Sequence, residues 1–360
     1  MSASRTEVDA VVLVGGQGTR LRPLTLSAPK PMLPIAGVPF LQHLLSRIAA
    51  AGISHVVLGT SYQAEVFSDH FGDGSGLGLE LEYVVESEPL GTGGAIGNVR
   101  DLLRGENAMI FNGDVLSGCD LSELLDCHER TEADVTLHLT KVSDPRAFGC
   151  VPTDPDGRVT AFLEKDPNPV TDQINAGAYV FRRSVVESIP SGRPVSVERE
   201  TFPELLAAGA RVIGHVDSSY WRDLGKPHDF VAGSADLVRG VAPSAVLAGR
   251  TGERLVLDGA VIDESAEVSG GSTVGAGCVV GAGAVVTGSV LFDGAVVEAG
   301  ASVTDSVIGA GARIGARSVL ADVVVGDRAR IGAGCELLAG ARVWPDVEIP
   351  AGGLRFSADC

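Results

Sequence analysis

Two spacings of hydrophobic residues divide the chain. From Val8 to about Arg239, short aliphatic and β-branched runs alternate with segments whose apolar positions recur at helical spacing. The runs Ala10–Val14, His55–Leu58, Leu79–Val85, Ala108–Phe111 and Val135–Thr140 predict strands, and Phe40–Ala51, Ala64–Phe71, Gly93–Leu103 and Leu121–Glu129 predict helices. Alternation of this kind implies a mostly parallel sheet covered on both faces, with ligands received at the carboxyl ends of the strands.

Beyond Pro243 the spacing changes. Aliphatic residues fall at Ile262, Val268, Val274, Val280, Val286, Leu291, Val297, Val303, Ile308, Ile314, Leu320, Val325, Ile331, Leu337 and Val343, always six residues apart except for three steps of five. The short steps end at Leu291, Ile308 and Val325, 17 residues apart. Such a period predicts a parallel β-helix of triangular coils in which one aliphatic per face fills the interior and the short side recurs on one face. The expected division is a domain over 1–240 and a β-helix over 241–360, with Pro243 the clearest breaker near the boundary.

The first strand runs into Leu13-Val14-Gly15-Gly16-Gln17-Gly18-Thr19-Arg20-Leu21-Arg22-Pro23, followed by Lys30-Pro31-Met32-Leu33-Pro34. Glycines 15, 16 and 18 let backbone N–H groups approach phosphate oxygens, and Arg20 and Lys30 add positive charge. The spacing is neither the dinucleotide fingerprint nor the Walker P-loop. Asn112-Gly113-Asp114 places a carboxylate at a strand's carboxyl end, and Asp223 stands in Tyr220-Trp221-Arg222-Asp223-Leu224-Gly225. Two carboxylates with substrate phosphates and water suit Mg2+, a hard cation that prefers oxygen ligands. Glu86 and the run Glu88-Pro89-Leu90-Gly91-Thr92-Gly93-Gly94 precede a helical pattern, where a nucleobase can lie against backbone. A carboxylate is an acceptor only, so Glu86 or Glu88 favours guanine, whose Watson–Crick edge offers adjacent N–H donors.

Charge narrows the partners. With 46 acidic against 28 basic residues the formal charge is -18, which disfavours a nonspecific nucleic-acid or anionic-membrane surface. No apolar run reaches the roughly 18 residues of a membrane helix, and the amino terminus lacks a secretory h-region, so a cytoplasmic protein is expected. The six cysteines form no Cys-x-x-Cys pair and read as reduced packing residues. The seven histidines show no metal-ligand spacing, and no Gly-x-Ser-x-Gly elbow or Cys/His nucleophile pair indicates a covalent intermediate.

These motifs together resemble the sugar-1-phosphate nucleotidyltransferases, which join a nucleoside triphosphate to a sugar phosphate and release pyrophosphate. The resemblance implies a Rossmann-like α/β domain followed by a left-handed β-helix, and covers almost the whole chain. It implies that Leu13, Gly15, Gly16, Gly18, Thr19, Arg20, Lys30, Glu86, Pro89, Gly91 and Thr92 bind the nucleotide, with Asp114 and Asp223 on the metal. Phe162-Leu163-Glu164-Lys165 and Asn175-Ala176-Gly177 look like the sugar-phosphate segments, so Gly149, Glu164, Lys165 and Asn175 are assigned to the sugar phosphate. Phe148 stands where the family often has tyrosine, Asp166 where proline often follows Glu-Lys, and Gln17 where phenylalanine is frequent. Arg20, Lys30, Asp114, Lys165 and Asp223 form the catalytic set.

Within the family, Arg20-Leu-Arg-Pro-Leu-Thr25, Lys30-Pro-Met-Leu-Pro34 and the Glu88 run look most like the members that join GTP to mannose 1-phosphate. Relatives using glucose 1-phosphate with dTTP or UTP share most of these motifs, and a regulatory homologue that binds nucleotide sugar without turnover is a further reading. Retention of all five catalytic residues favours an enzyme. The β-helix lacks histidine, which argues against an added acyl transfer, and its flat faces favour homo-oligomerisation.

Overall fold

The computed structural model describes residues 7–61, 63–164 and 167–354 of the 360. The chain forms two compact units, one from residues up to 16 together with 44–221, the other from 17–43 together with 222 onward. The helix Pro227–Arg239, which precedes the expected boundary at 240, belongs to the second.

The first unit is built on a nine-stranded sheet. Val8–Leu13 lies at its centre, parallel to His55–Thr60 on one side and to Asn107–Asn112 on the other, and Glu80–Val85 continues the parallel order. The central strands are apolar on both faces, as helices on either side require. Gln173–Arg182 then runs antiparallel to Asn107–Asn112 and to Val135–Lys141, so the sheet is mixed beyond its parallel half. Its register shifts between Asn175 and Tyr179, a bulge that separates the site end of the strand from its core end. The core joins Val11, Ile110, Leu137, Tyr179, Phe181 and Phe202.

All five expected strands and four expected helices exist, with ends displaced by a few residues. The segment expected as one helix over Gly93–Leu103 is instead an α-helix over Gly91–Asn98 and a 3-10 turn over Arg100–Leu102. Gly97 and Asn98 hold the helix weakly, and the Arg100 side chain satisfies the freed Gly97 carbonyl at 2.7 Å.

In the second unit three parallel sheets of six, six and five short strands form the β-helix. Every one of the fifteen aliphatic positions falls in one of these strands. Leu291, Ile308 and Val325, which end the short steps, all belong to the sheet that starts at Arg254–Val256. At the corner leading into it, Ser272, Ser289 and Ser306 are buried, and each hydroxyl accepts the N–H of the residue 17 positions on, at 3.0–3.1 Å. A hydroxyl thus replaces the backbone acceptor that the tighter corner lacks.

His128 and His138 in the first unit are buried; His128 Nε2 and His138 Nδ1 lack a hydrogen-bond partner, and His138 Nε2 stands 3.4 Å from Asp217 Oδ2. Burial pushes both imidazoles down to about 4 from 6.5. Between those values the unfolded chain binds protons that the fold refuses, so stability falls as pH drops from 6.5 toward 4. Thermal melts should show a steep loss of Tm across that window, and His138→Gln should shallow it. An unchanged slope would remove His138 as a cause.

Candidate active site

In the first unit the strand Val8–Leu13 ends in Gly15 and Gly16, beside Ser61, whose Oγ lies 3.4 Å from the Gly16 nitrogen. Gly16 has φ +107°, and a side chain built there meets nothing within 4 Å, so its exposed backbone faces open space suited to a phosphate. The Leu13 carbonyl accepts from the Gly113 N–H at 2.9 Å, and a Cβ on Gly113 would lie 2.7 Å from that oxygen. Only glycine fits this approach, which seats half-buried Asp114 beside the glycine loop. Asn112, at the end of the same strand, and Asn175 both hydrogen-bond the buried Tyr179 hydroxyl, Asn175 at 2.7 Å. Burial pushes that phenol up, so it remains a neutral strut. Tyr179 was not singled out from the sequence, because an apolar strand position carries no signal of where its hydroxyl points.

The segment expected at the base is held by its own chain. The Leu90 N–H donates to Glu86 at 3.1 Å, while burial raises the Glu86 carboxyl above its ordinary range. Glu88 is exposed, as is Pro89. Thr92 lies within the helix, donates to Glu198 at 2.9 Å and accepts the Val197 N–H at 2.9 Å, so it locks the helix to a distant turn rather than capping it. A Cβ on Gly91 would sit 2.7 Å from the Val195 carbonyl, and one on Gly93 or Gly94 would stand 2.8 Å from the same segment. These glycines are therefore demanded first by packing of Val195 and its neighbours. Val195 and Glu198 were missed because they lie about a hundred residues away in sequence.

Gly149 pairs with Glu164 on adjacent antiparallel strands, and Cys150 bridges to Ile174 beside Asn175, so these three assigned residues share one end of the sheet. Asn175 also accepts the Gly177 N–H at 3.1 Å, which fixes the bulge. Phe148 packs edge-on against Trp221 at 5.4 Å, and Trp221 donates to the Ala176 carbonyl at 3.0 Å. Lys165 lies outside the described residues.

The second unit carries the cationic set. Gly18 is left-handed, Thr25 Oγ1 donates to its carbonyl at 3.0 Å, and a 3-10 turn over Thr19–Leu21 follows. Arg20 and Thr19 are exposed, whereas Lys30 is buried and its Nζ lies 3.9 Å from Asp223 Oδ1. Asp223 is half-buried at the end of the strand Trp221–Asp223. Asp114 in the first unit and Asp223 in the second each offer carboxylate oxygens, the donor chemistry that suits a hard divalent cation.

The model for nucleotidyl transferases matches residues 9–240, and that for the GMPPB C-terminal domain matches residues 250–352. The chain belongs to the nucleotidyl transferase family. Such nucleotidyltransferases generally use a divalent metal. The chain is 65% identical over 354 residues to a mannose-1-phosphate guanylyltransferase of Mycobacterium tuberculosis, covering 98% of this chain and 99% of that one. It is 36% identical over 270 residues to mannose-1-phosphate guanylyltransferase 1 of Arabidopsis thaliana, covering 73% of each. Among solved structures, HddC from Yersinia pseudotuberculosis, in complex with GMP-PN, matches 64% of this chain and 99% of its own at 28% identity and a TM-score of 0.56. This nucleotidyltransferase contains, among its described residues, no helix long and apolar enough to cross a membrane.

Proposed function

We propose that the protein transfers GMP from GTP to mannose 1-phosphate, giving GDP-mannose and pyrophosphate. Near-full-length identity of 65% to a mannose-1-phosphate guanylyltransferase is the observation that carries this reading. The likeness to HddC, whose structure holds GMP-PN, supports a guanine nucleotide. The transfer domain spans 1–240 and the β-helix 241–360, and the protein works in the cytoplasm as a homo-oligomer.

In this reading a phosphate oxygen of mannose 1-phosphate attacks the α-phosphorus of GTP, a new P–O bond forms in line, and the bond to the β-phosphate breaks. Both reactants are polyanions, so the work is orientation and neutralisation rather than proton transfer. Leu13, Gly15, Gly16, Gly18 and Thr19 line the nucleotide, and Arg20 and Lys30 hold the departing pyrophosphate. Glu86, Pro89, Gly91 and Thr92 hold the base. Gly149, Glu164 and Asn175 orient the sugar, with Lys165 on its phosphate. Asp114 and Asp223 would hold Mg2+, which would supply neutralisation of the phosphates' negative charge.

The reverse direction tests the assignment. With pyrophosphate and magnesium, GDP-mannose should yield GTP faster than UDP-glucose or dTDP-glucose yields its triphosphate; a faster reaction with either glucose nucleotide would overturn the choice of substrates. For the base, Glu86→Gln or Glu88→Gln should lower the preference for GTP over ATP by about tenfold, the worth of a charge-assisted hydrogen bond. Unchanged preference in both variants would exclude the two carboxylates from base recognition.

A further inference from the structure

The second unit holds a pocket of about 340 Å³ that brings a cation of the β-helix to the glycine loop. Arg20 comes from that loop, Lys226 and His228 from the start of the helix Pro227–Arg239, and Asp322 and Arg342 from the β-helix. Three permanent cations and an imidazole thus face one carboxylate, in a chain of net charge -18 where basic residues are scarce.

The helix sharpens the contrast. Lys226 is its N-cap residue, and in its first turn His228 Nε2 stands 3.3 Å from Asp229 Oδ2, so Lys226 is the cation left at the positive end of the macrodipole. The Lys226 side chain makes no capping hydrogen bond. A polyanion complements Lys226 and meets the first-turn N–H groups that follow Pro227. Gly225 shapes the approach, since a Cβ there would lie 2.7 Å from the Arg20 guanidinium, which therefore lies flat on the backbone. Arg342 Nη1 donates to the Arg22 carbonyl at 2.7 Å, tying a coil of the β-helix to the turn that carries Arg20. The rest of its guanidinium fork remains for planar recognition of phosphate oxygens.

We propose that this pocket binds pyrophosphate, and that Arg342 and Lys226 extend the grip of Arg20 on the β- and γ-phosphates of the nucleotide. The proposal rests on the pyrophosphate-releasing reaction given above. It gives the β-helix a part in substrate binding, distinct from assembly.

Calorimetric titration of the full-length protein with inorganic pyrophosphate and magnesium tests it without requiring turnover. Arg342→Ala should weaken pyrophosphate binding about tenfold, as expected for loss of a charge-assisted contact, and Arg342→Lys should recover part of it. Lys226→Ala should weaken it as well. In steady state, Arg342→Ala should raise the KM for GTP while leaving the KM for mannose 1-phosphate unchanged. Undiminished pyrophosphate affinity in both alanine variants, or sulfate binding as tightly as pyrophosphate, would overturn the proposal. So would equal losses for both substrates with a lowered Tm, the signature of a purely structural stitch. If the wild-type enzyme prefers another nucleotide and sugar, the substrate assignment fails while the pyrophosphate titration still decides the pocket.

Discussion

Asp114→Ala and Asp223→Ala should each lower kcat by about 10²–10³-fold or more in magnesium, the scale of losing a group that stabilises transition-state charge. Each residue is half-buried at a strand end and outside the hydrophobic core, so neither substitution creates a cavity. The melting temperature should therefore stay within a few degrees of wild type. Asp223 also stands 3.9 Å from buried Lys30, so its removal takes a carboxylate from beside that ammonium and should change the KM for the triphosphate too. Asp114 is held beside the glycine loop by the contact of Gly113 with the Leu13 carbonyl, and its loss should fall mainly on kcat. Steady-state kinetics with a magnesium titration separates the two effects. Full activity in either variant removes that residue from the metal site.

Ile314→Ala should destabilise the β-helix by about 2–5 kcal/mol, the usual range for truncating a fully buried aliphatic. Ile314 is wholly buried and sits in one interior column, in register with Val297 on the coil before it and Ile331 on the coil after it. Val280 and Ile349 continue the same column. Each coil packs only on its neighbours, so a void in a middle coil weakens two interfaces at once. Urea unfolding should show a lower midpoint for the transition that includes the β-helix. Substituting exposed Val279 by Ala should shift it by less than about 0.5 kcal/mol. Equal midpoints for the two variants would contradict the column as the source of stability.

The β-helix was legible because its interior demands one aliphatic per side, and a demand that repeats every 17 or 18 residues writes itself into the sequence. Even the side that receives the five-residue steps was predictable from their spacing. Its opening strand, Arg254–Val256, also fits the period, since Val256 stands six residues before Ile262 and pairs in register with Val274, but at the end of the stack that side chain is exposed and so carries no interior demand. The parallel strands announced themselves through short β-branched runs. The antiparallel course of Gln173–Arg182 did not, since strand direction is a property of pairing and not of composition.

The site divides in the same way. Local chemistry marked the residues that end strands or form loops, such as Gly16, Arg20 and Asp114. Residues acting through distant partners stayed hidden. Tyr179 reads as a core aromatic until its hydroxyl is found between Asn112 and Asn175. Arg342 reads as one more surface cation of a repeat until it is found on the Arg22 carbonyl, 320 residues away in sequence. Gly91, Gly93 and Gly94 were legible as a special loop, yet the atoms that require them belong to Val195 and its neighbours.

The most direct measurement is pyrophosphate release by the purified protein in magnesium, with GTP, dTTP, UTP, ATP and CTP each crossed with mannose 1-phosphate and glucose 1-phosphate. The account predicts the highest kcat/KM for GTP with mannose 1-phosphate. A higher value for dTTP or UTP with glucose 1-phosphate, or no release with any pair, would contradict it.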